Sequence, residues 1–124
     1  MTRARRLLVL IALTFGVLVT AQAAASTASL KIIYWPHGRT AAATTWTLRC
    51  APPAGTHPAR RVACAALTAH PADLRPATRA CTLMQTYGAP QARITGTWRG
   101  RRIDRSYRIG CPGWSDLRVA LTGK

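Results

Sequence analysis

Ala92-Arg93-Ile94-Thr95-Gly96-Thr97-Trp98-Arg99-Gly100-Arg101-Arg102-Ile103-Asp104-Arg105-Ser106-Tyr107-Arg108-Ile109 is the stretch that decides the fold. Ala92, Ile94, Gly96 and Trp98 alternate with Arg93, Thr95, Thr97 and Arg99. Successive side chains of a strand point to opposite faces, so a period of two makes one apolar face and one polar, cationic face. Arg99-Gly100-Arg101 forms a tight turn. Ile103, Arg105, Tyr107 and Ile109 then return in phase against Asp104, Ser106 and Arg108. A hairpin patterned this way resists slippage, because a shift of one residue would send every apolar side chain to the wrong face.

Upstream, Leu30-Lys31-Ile32-Ile33-Tyr34-Trp35 has strand composition, and Pro36, Gly38 and the small residues to Ala43 form a turn or loop. Thr44 to Cys50 is a second strand, with Trp46, Leu48 and Cys50 on one face and Thr45, Thr47 and Arg49 on the other. Ala51 to Pro58 is rich in Pro and Gly and is loop. Ala59 to Ala69 reads as a short helix. Pro58 suits its start, and Val62, Ala63, Ala66 and Leu67 line one side with Cys64 beside them. Pro71 to Ala77 is irregular, and a polar loop follows Cys81 as far as Pro90. Leu117, Val119 and Leu121 suggest a final edge strand. The sum is an α+β chain: a five-stranded antiparallel sheet with one or two short helices on one face. No internal repeat and no interdomain linker interrupts it.

The N-terminus reads separately. Arg3, Arg5 and Arg6 precede an apolar run from Leu7 to about Thr20, followed by Ala21-Gln22-Ala23 and Ala23-Ala24-Ala25. A cationic start, a short apolar run and an A-x-A site form a secretory signal peptide, which leaves no membrane span once removed. The expected division is signal peptide over 1–25 and one domain over 26–124, secreted to the extracellular space. A domain of that size buries only a modest core, so covalent staples matter. Cys50, Cys64, Cys81 and Cys111 all lie in it. An even count in an exported chain implies two disulfides, and three pairings exist. Cys50–Cys64 and Cys81–Cys111 are preferred, because each closes a local loop. Each closure contributes roughly 3 kcal/mol or somewhat more. Cys50, His57 and Cys64 are spaced too widely for a zinc ribbon or finger, so no metal is expected.

Without Arg3, Arg5 and Arg6, fifteen Lys or Arg face only Asp73, Asp104 and Asp116, a net charge of about +12. Such a surplus attracts polyanions. The arginines are scattered, with one denser stretch at Arg99, Arg101, Arg102, Arg105 and Arg108, and no nucleic-acid motif accompanies them. A basic amphipathic helix is missing too, which leaves an antimicrobial role with only charge behind it. Three acidic residues leave little room for acid–base catalysis. No nucleophile setting and no His–carboxylate pair is recognisable, so the chain reads as a non-enzyme without cofactor. His57, before Pro58 in a short loop, reads as a residue that orders the loop by hydrogen bonding.

One segment carries a specific motif. Cys50-Ala51-Pro52-Pro53-Ala54-Gly55-Thr56-His57-Pro58, four variable residues, then Ala63-Cys64-Ala65-Ala66-Leu67 resembles the signature of the Streptomyces subtilisin inhibitor family. The resemblance continues through the second cysteine pair and the Gly96 to Arg102 hairpin. It implies the same disulfide pairing, the sheet-plus-helices fold, and often a homodimer made by packing sheet on sheet. It also implies a secreted inhibitor of a subtilisin-type serine endopeptidase, acting by substrate-like insertion of an exposed loop. Carried over by offset from Cys81, the reactive bond is Leu83–Met84, with Cys81 and Thr82 before it and Gln85 and Thr86 after it. Leu83 would be the apolar anchor for the protease pocket.

The chain also departs from the family. The Cys81–Trp98 stretch is two residues longer than usual, and the Trp98–Cys111 stretch two shorter. If the extra residues precede the reactive bond, Met84 or a later residue becomes the anchor. Ile109 stands where typical members place an asparagine whose side chain supports the loop. The alternative function is therefore a cationic exported binding module on the same scaffold, without inhibitory activity.

Overall fold

The structure, a computed structural model, describes residues 28–82 and 87–124, so the expected signal peptide lies outside the described residues. Its elements are β1 (Ala28–Trp35), β2 (Thr44–Cys50), α1 (Arg60–Thr68), β3 (Gln91–Trp98), β4 (Arg101–Arg108) and α2 (Arg118–Thr122). All neighbours pair antiparallel in the order β2-β1-β3-β4. The β3–β4 hairpin keeps the anticipated phase, with Ala92 opposite Tyr107 and Gly96 opposite Ile103. Its two-residue turn, Arg99-Gly100, has positive φ at both positions (49° and 77°), the conformation that matches the twist of the flanking strands.

One face of the sheet buries Leu30, Ile32, Leu48, Ile94, Trp98, Ile103 and Tyr107, and both helices pack on that face. The other face is polar and cationic, as the alternation in β3 and β4 requires.

Among the described residues the sheet has four strands and not the expected five. The segment read as an edge strand is instead the short helix α2. Leu117, Val119 and Leu121 alternate, but Trp114, Leu117, Ala120 and Leu121 are the buried residues. Their spacing of three, then three, then one is helical, and it places all four against the core. The tertiary contacts of that apolar stripe decided between two periods that a five-residue element could satisfy equally.

The first helix differs in a smaller way. Its buried stripe is Ala63, Cys64 and Leu67, whereas Val62 is 55% exposed and Ala66 only partly buried. Cys64 is bonded to Cys50 at the end of β2, so the face of the helix that carries Cys64 lies toward the sheet and Val62 lies toward solvent.

The loop between β2 and α1 folds back on β2. Arg49 and Ala54 exchange backbone hydrogen bonds of 2.8 and 2.9 Å. The Thr47 N–H donates to Thr56 Oγ1 at 2.9 Å, and the Thr56 N–H donates to Thr47 Oγ1 at 3.1 Å. Gly55 is obligatory here. Its φ is +107°, and a Cβ would come within 2.4 Å of the Thr47 carbonyl oxygen. His57 closes the unit. The Ala59 N–H donates to Nδ1 at 3.0 Å, which leaves the proton on Nε2 to be donated to the Ala120 carbonyl at 3.0 Å. Burial pushes the imidazole pKa below its usual value, so the neutral ring is favoured. His57 thus ties the signature loop to α2, and its edge packs on Trp46 at 5.2 Å between ring centroids.

Candidate functional site

Cys81 and Thr82 on one side, and Tyr87 to Pro90 on the other, are the described parts of the segment that leads into β3. Cys81 is bonded to Cys111, three residues past the end of β4. Thr82 is held twice by one acceptor: its N–H donates to the Gly110 carbonyl at 2.6 Å and its hydroxyl at 3.0 Å. Cys111 is itself placed by a turn, with its N–H on the Arg108 carbonyl at 3.1 Å, and Trp114 continues that turn onto the Cys111 carbonyl. The entry side of the loop is therefore fixed to the end of the β3–β4 hairpin.

The exit side is fixed to different elements. Tyr87 is 90% exposed, yet its hydroxyl lies 2.9 Å from Thr40 Oγ1 in the β1–β2 connection. Gly88 lies against Gly38, where an added Cβ would come within 2.9 Å of the Gly88 Cα. The Ile109 N–H donates to the Pro90 carbonyl at 3.2 Å. Arg39 braces the same region, donating to Gln91 Oε1 at 3.1 Å and stacking over Trp35 at 5.0 Å.

Cys81 and Thr82 are exposed at the base of this loop. Leu83, Met84, Gln85 and Thr86, the expected reactive bond and its neighbours, lie outside the described residues. A depression of about 290 Å³ opens beside Thr82, lined by Arg79, Gly110, Cys111, Pro112, Trp114 and Ser115 among others. Below it, the Tyr107 hydroxyl donates to the Leu74 carbonyl, and burial pushes its pKa up to about 12. Arg105 donates from Nε to the Asp73 carbonyl at 2.9 Å. The Asp73 carboxylate accepts the Arg75 N–H, which holds its pKa below the usual value. These bonds secure the 70–77 segment beneath the turn that carries Cys111.

Three supports were not legible beforehand. Thr40, Gly38 and Gly110 are remote in sequence from the loop, and nothing in their local pattern marks them. Ile109, noted for lacking an amide side chain, supports the loop through its backbone N–H. Chemically, the arrangement is a covalently anchored loop with separately anchored ends. The described loop anchors include no nucleophile–base pair.

A family model described as "Subtilisin inhibitor-like" matches residues 17–110. The chain is 43% identical over 60 residues to "Subtilisin inhibitor" from Streptomyces albogriseolus, covering 46% of this chain and 42% of that protein. It is 40% identical over 67 residues to "Subtilisin inhibitor-like protein 1" from Streptomyces cacaoi, covering 48% of this chain and 59% of that one. These matches span about half the length of the two curated relatives. A solved structure, Streptomyces caespitosus sermetstatin in complex with Bacillus licheniformis subtilisin, is 22% identical. It covers 75% of this chain and 89% of that one at a TM-score of 0.47.

Proposed function

The chain belongs to the subtilisin inhibitor-like family, and from that membership we propose that it inhibits a serine endopeptidase of the subtilisin type by presenting the 81–90 loop as a substrate. The observation that carries this is the separate anchoring of the loop's two ends. A loop held in its docking conformation loses little conformational entropy on binding, so its contacts convert to affinity. Cys81–Cys111 and the paired Thr82 bonds to Gly110 hold the acyl side. Thr40, Gly38 and the Ile109 N–H hold the leaving side. If the protease cuts between them, neither new end departs. The new amine stays near the acyl-enzyme, and religation competes with release.

Leu83–Met84 is the bond we assign as reactive, with Leu83 filling an apolar specificity pocket and Cys81, Thr82, Gln85 and Thr86 flanking it. The assignment rests on offset from Cys81 in the family pattern. Leu83→Asp places a charge in that pocket and abolishes inhibition of subtilisin, whereas Met84→Asp weakens it less. The reverse order would move the anchor to Met84. Residues 1–25 direct export in this account, and the inhibitor acts outside the cell. No described helix is long and apolar enough to cross a membrane.

A further inference from the structure

Folding leaves two large hydrophobic side chains in water among the described residues, Val62 at 55% exposure and Tyr87 at 90%. They lie toward opposite ends of the sheet. The helix α1 that carries Val62 is tied by Cys64 to Cys50, and Ala28 pairs with both Cys50 and Trp98, the last residue of β3. Tyr87 precedes β3 at its other end, where Gln91 begins the strand. A single exposed apolar residue is ordinary on a protein surface. Tyr87 differs from Val62 in being held outward at its tip and at its backbone. Its hydroxyl lies 2.9 Å from Thr40 Oγ1. The next residue, Gly88, has a φ of +83° and lies against Gly38, so closely that a Cβ on Gly38 would come within 2.9 Å of the Gly88 Cα. Thr40 and Gly38 both belong to the β1–β2 connection. Arg39, between them, fixes that connection to β3 through Gln91 Oε1 at 3.1 Å. The ring itself fills no space in the core.

We propose that the Tyr87 ring is a second anchor for the protease, packing on the part of its cleft that receives the leaving side of the reactive bond, and that Thr40 holds the ring ready. This inference rests on the inhibitory reading above. Reach comes first. From Leu83 to Tyr87 the chain can span at most about 14 Å when fully extended. A standard interface buries about 800 Å² per partner, a patch of roughly 16 Å radius. Tyr87 therefore falls inside the contact patch, and it comes closer still to the reactive bond if Met84 is the anchor. The residue type suits the role. Tyrosine brings a large amphipathic surface with only two torsions to fix. Here the contact with Thr40 restricts them before docking, which lowers the entropy lost on binding. Buried aromatic anchors of this kind carry much of the affinity in protein interfaces. The complementary surface is an apolar or peptide-lined shelf that accepts a ring face.

The test combines a chemical footprint with inhibition constants, using the purified, oxidised mature chain and subtilisin. Of the three tyrosines, Tyr107 is buried and Tyr34 half-buried. Tetranitromethane should therefore nitrate Tyr87 first in the free chain. In the complex, peptide mass analysis should show nitration of Tyr87 reduced to a small fraction of the free rate. Tyr87→Ala should weaken inhibition about thirtyfold or more. Tyr87→Phe keeps the ring and loses only the contact with Thr40, so it should weaken inhibition about two- to tenfold. Thr40→Ala should match Tyr87→Phe, and the two together should add little to either alone. Val62→Ala should inhibit like the wild type. Intact-mass analysis shows that each chain is uncut while its constant is read. Equal nitration in the free chain and the complex, or Tyr87→Ala inhibiting like the wild type, would overturn this inference and leave the inhibitory reading standing. Equal losses in Tyr87→Phe and Tyr87→Ala would reduce Tyr87 to a strut of the loop and overturn it too. A wild type that does not inhibit would overturn both.

Discussion

Replacing Cys81 and Cys111 together by alanine tests whether the loop's covalent anchor performs the role assigned to it. The bond closes a sequence separation of 30 residues. Chain entropy then assigns it about 3.6 kcal/mol, against about 3 kcal/mol for Cys50–Cys64 with its separation of 14. For a domain of this size the double variant should melt roughly 15–30 °C lower. The β3–β4 hairpin and the exit-side contacts of Thr40 and Gly38 do not depend on the bond, so the sheet should persist below the new transition. Function should suffer more than stability. Freeing Cys81 to Leu83 makes each residue lose about 1–2 kcal/mol of backbone entropy on docking. That amounts to roughly 3–6 kcal/mol, or between a hundredfold and ten-thousandfold in affinity. Differential scanning calorimetry gives the first figure, and subtilisin inhibition at a temperature where both proteins are folded gives the second. A variant that is folded, uncut and still inhibits with unchanged affinity would refute the idea that the disulfide preorganises the loop.

Other perturbations follow from single contacts. Gly38→Ala puts a Cβ 2.9 Å from Gly88 Cα at a φ of +85°. It should cost about 1–3 kcal/mol and speed cleavage of the loop by subtilisin, measured by the decay of the intact mass. His57→Ala orphans the Ala59 N–H and the Ala120 carbonyl and should cost about 2–4 kcal/mol in urea unfolding. The His57 imidazole has a pKa lowered by burial, so the unfolded chain binds the extra proton first. The wild type should therefore lose stability as pH falls below about 6.5, and the variant should lose less of it between pH 8 and 5. Tyr107 has the opposite sign. Its pKa is raised to about 12, so stability is complete below about pH 10 and declines as pH rises from 10 to 12. Tyr107→Phe should remove that alkaline decline while costing about 1–2 kcal/mol at neutral pH.

Much of the fold was legible because it is written in short periods. The β3–β4 hairpin, the two faces of β2 and the position of α1 follow from alternation and from the Pro–Gly loop before the helix. The C-terminal element was not legible. Leu117, Val119 and Leu121 satisfy a strand pattern, and only the burial of Trp114, Leu117, Ala120 and Leu121 together reveals the helix. Val62 fits an apolar stripe by spacing, but the buried side of α1 is the one that carries Ala63, Cys64 and Leu67, with Cys64 bonded to Cys50. At the site, Cys81 and Thr82 could be named from the family pattern and the cysteine frame. The supports at Thr40, Gly38 and Gly110 could not, because they join through hydrogen bonds and close backbone approach between segments far apart in sequence.

The most direct test of the inhibitory reading is a titration of subtilisin with the purified, oxidised mature chain, with intact-mass analysis of the mixture at each point. The account predicts a linear loss of activity to a sharp equivalence point and one slow cut, at Leu83–Met84, in a chain whose two parts remain joined by Cys81–Cys111. Undiminished activity with rapid digestion of the chain into many fragments would contradict it.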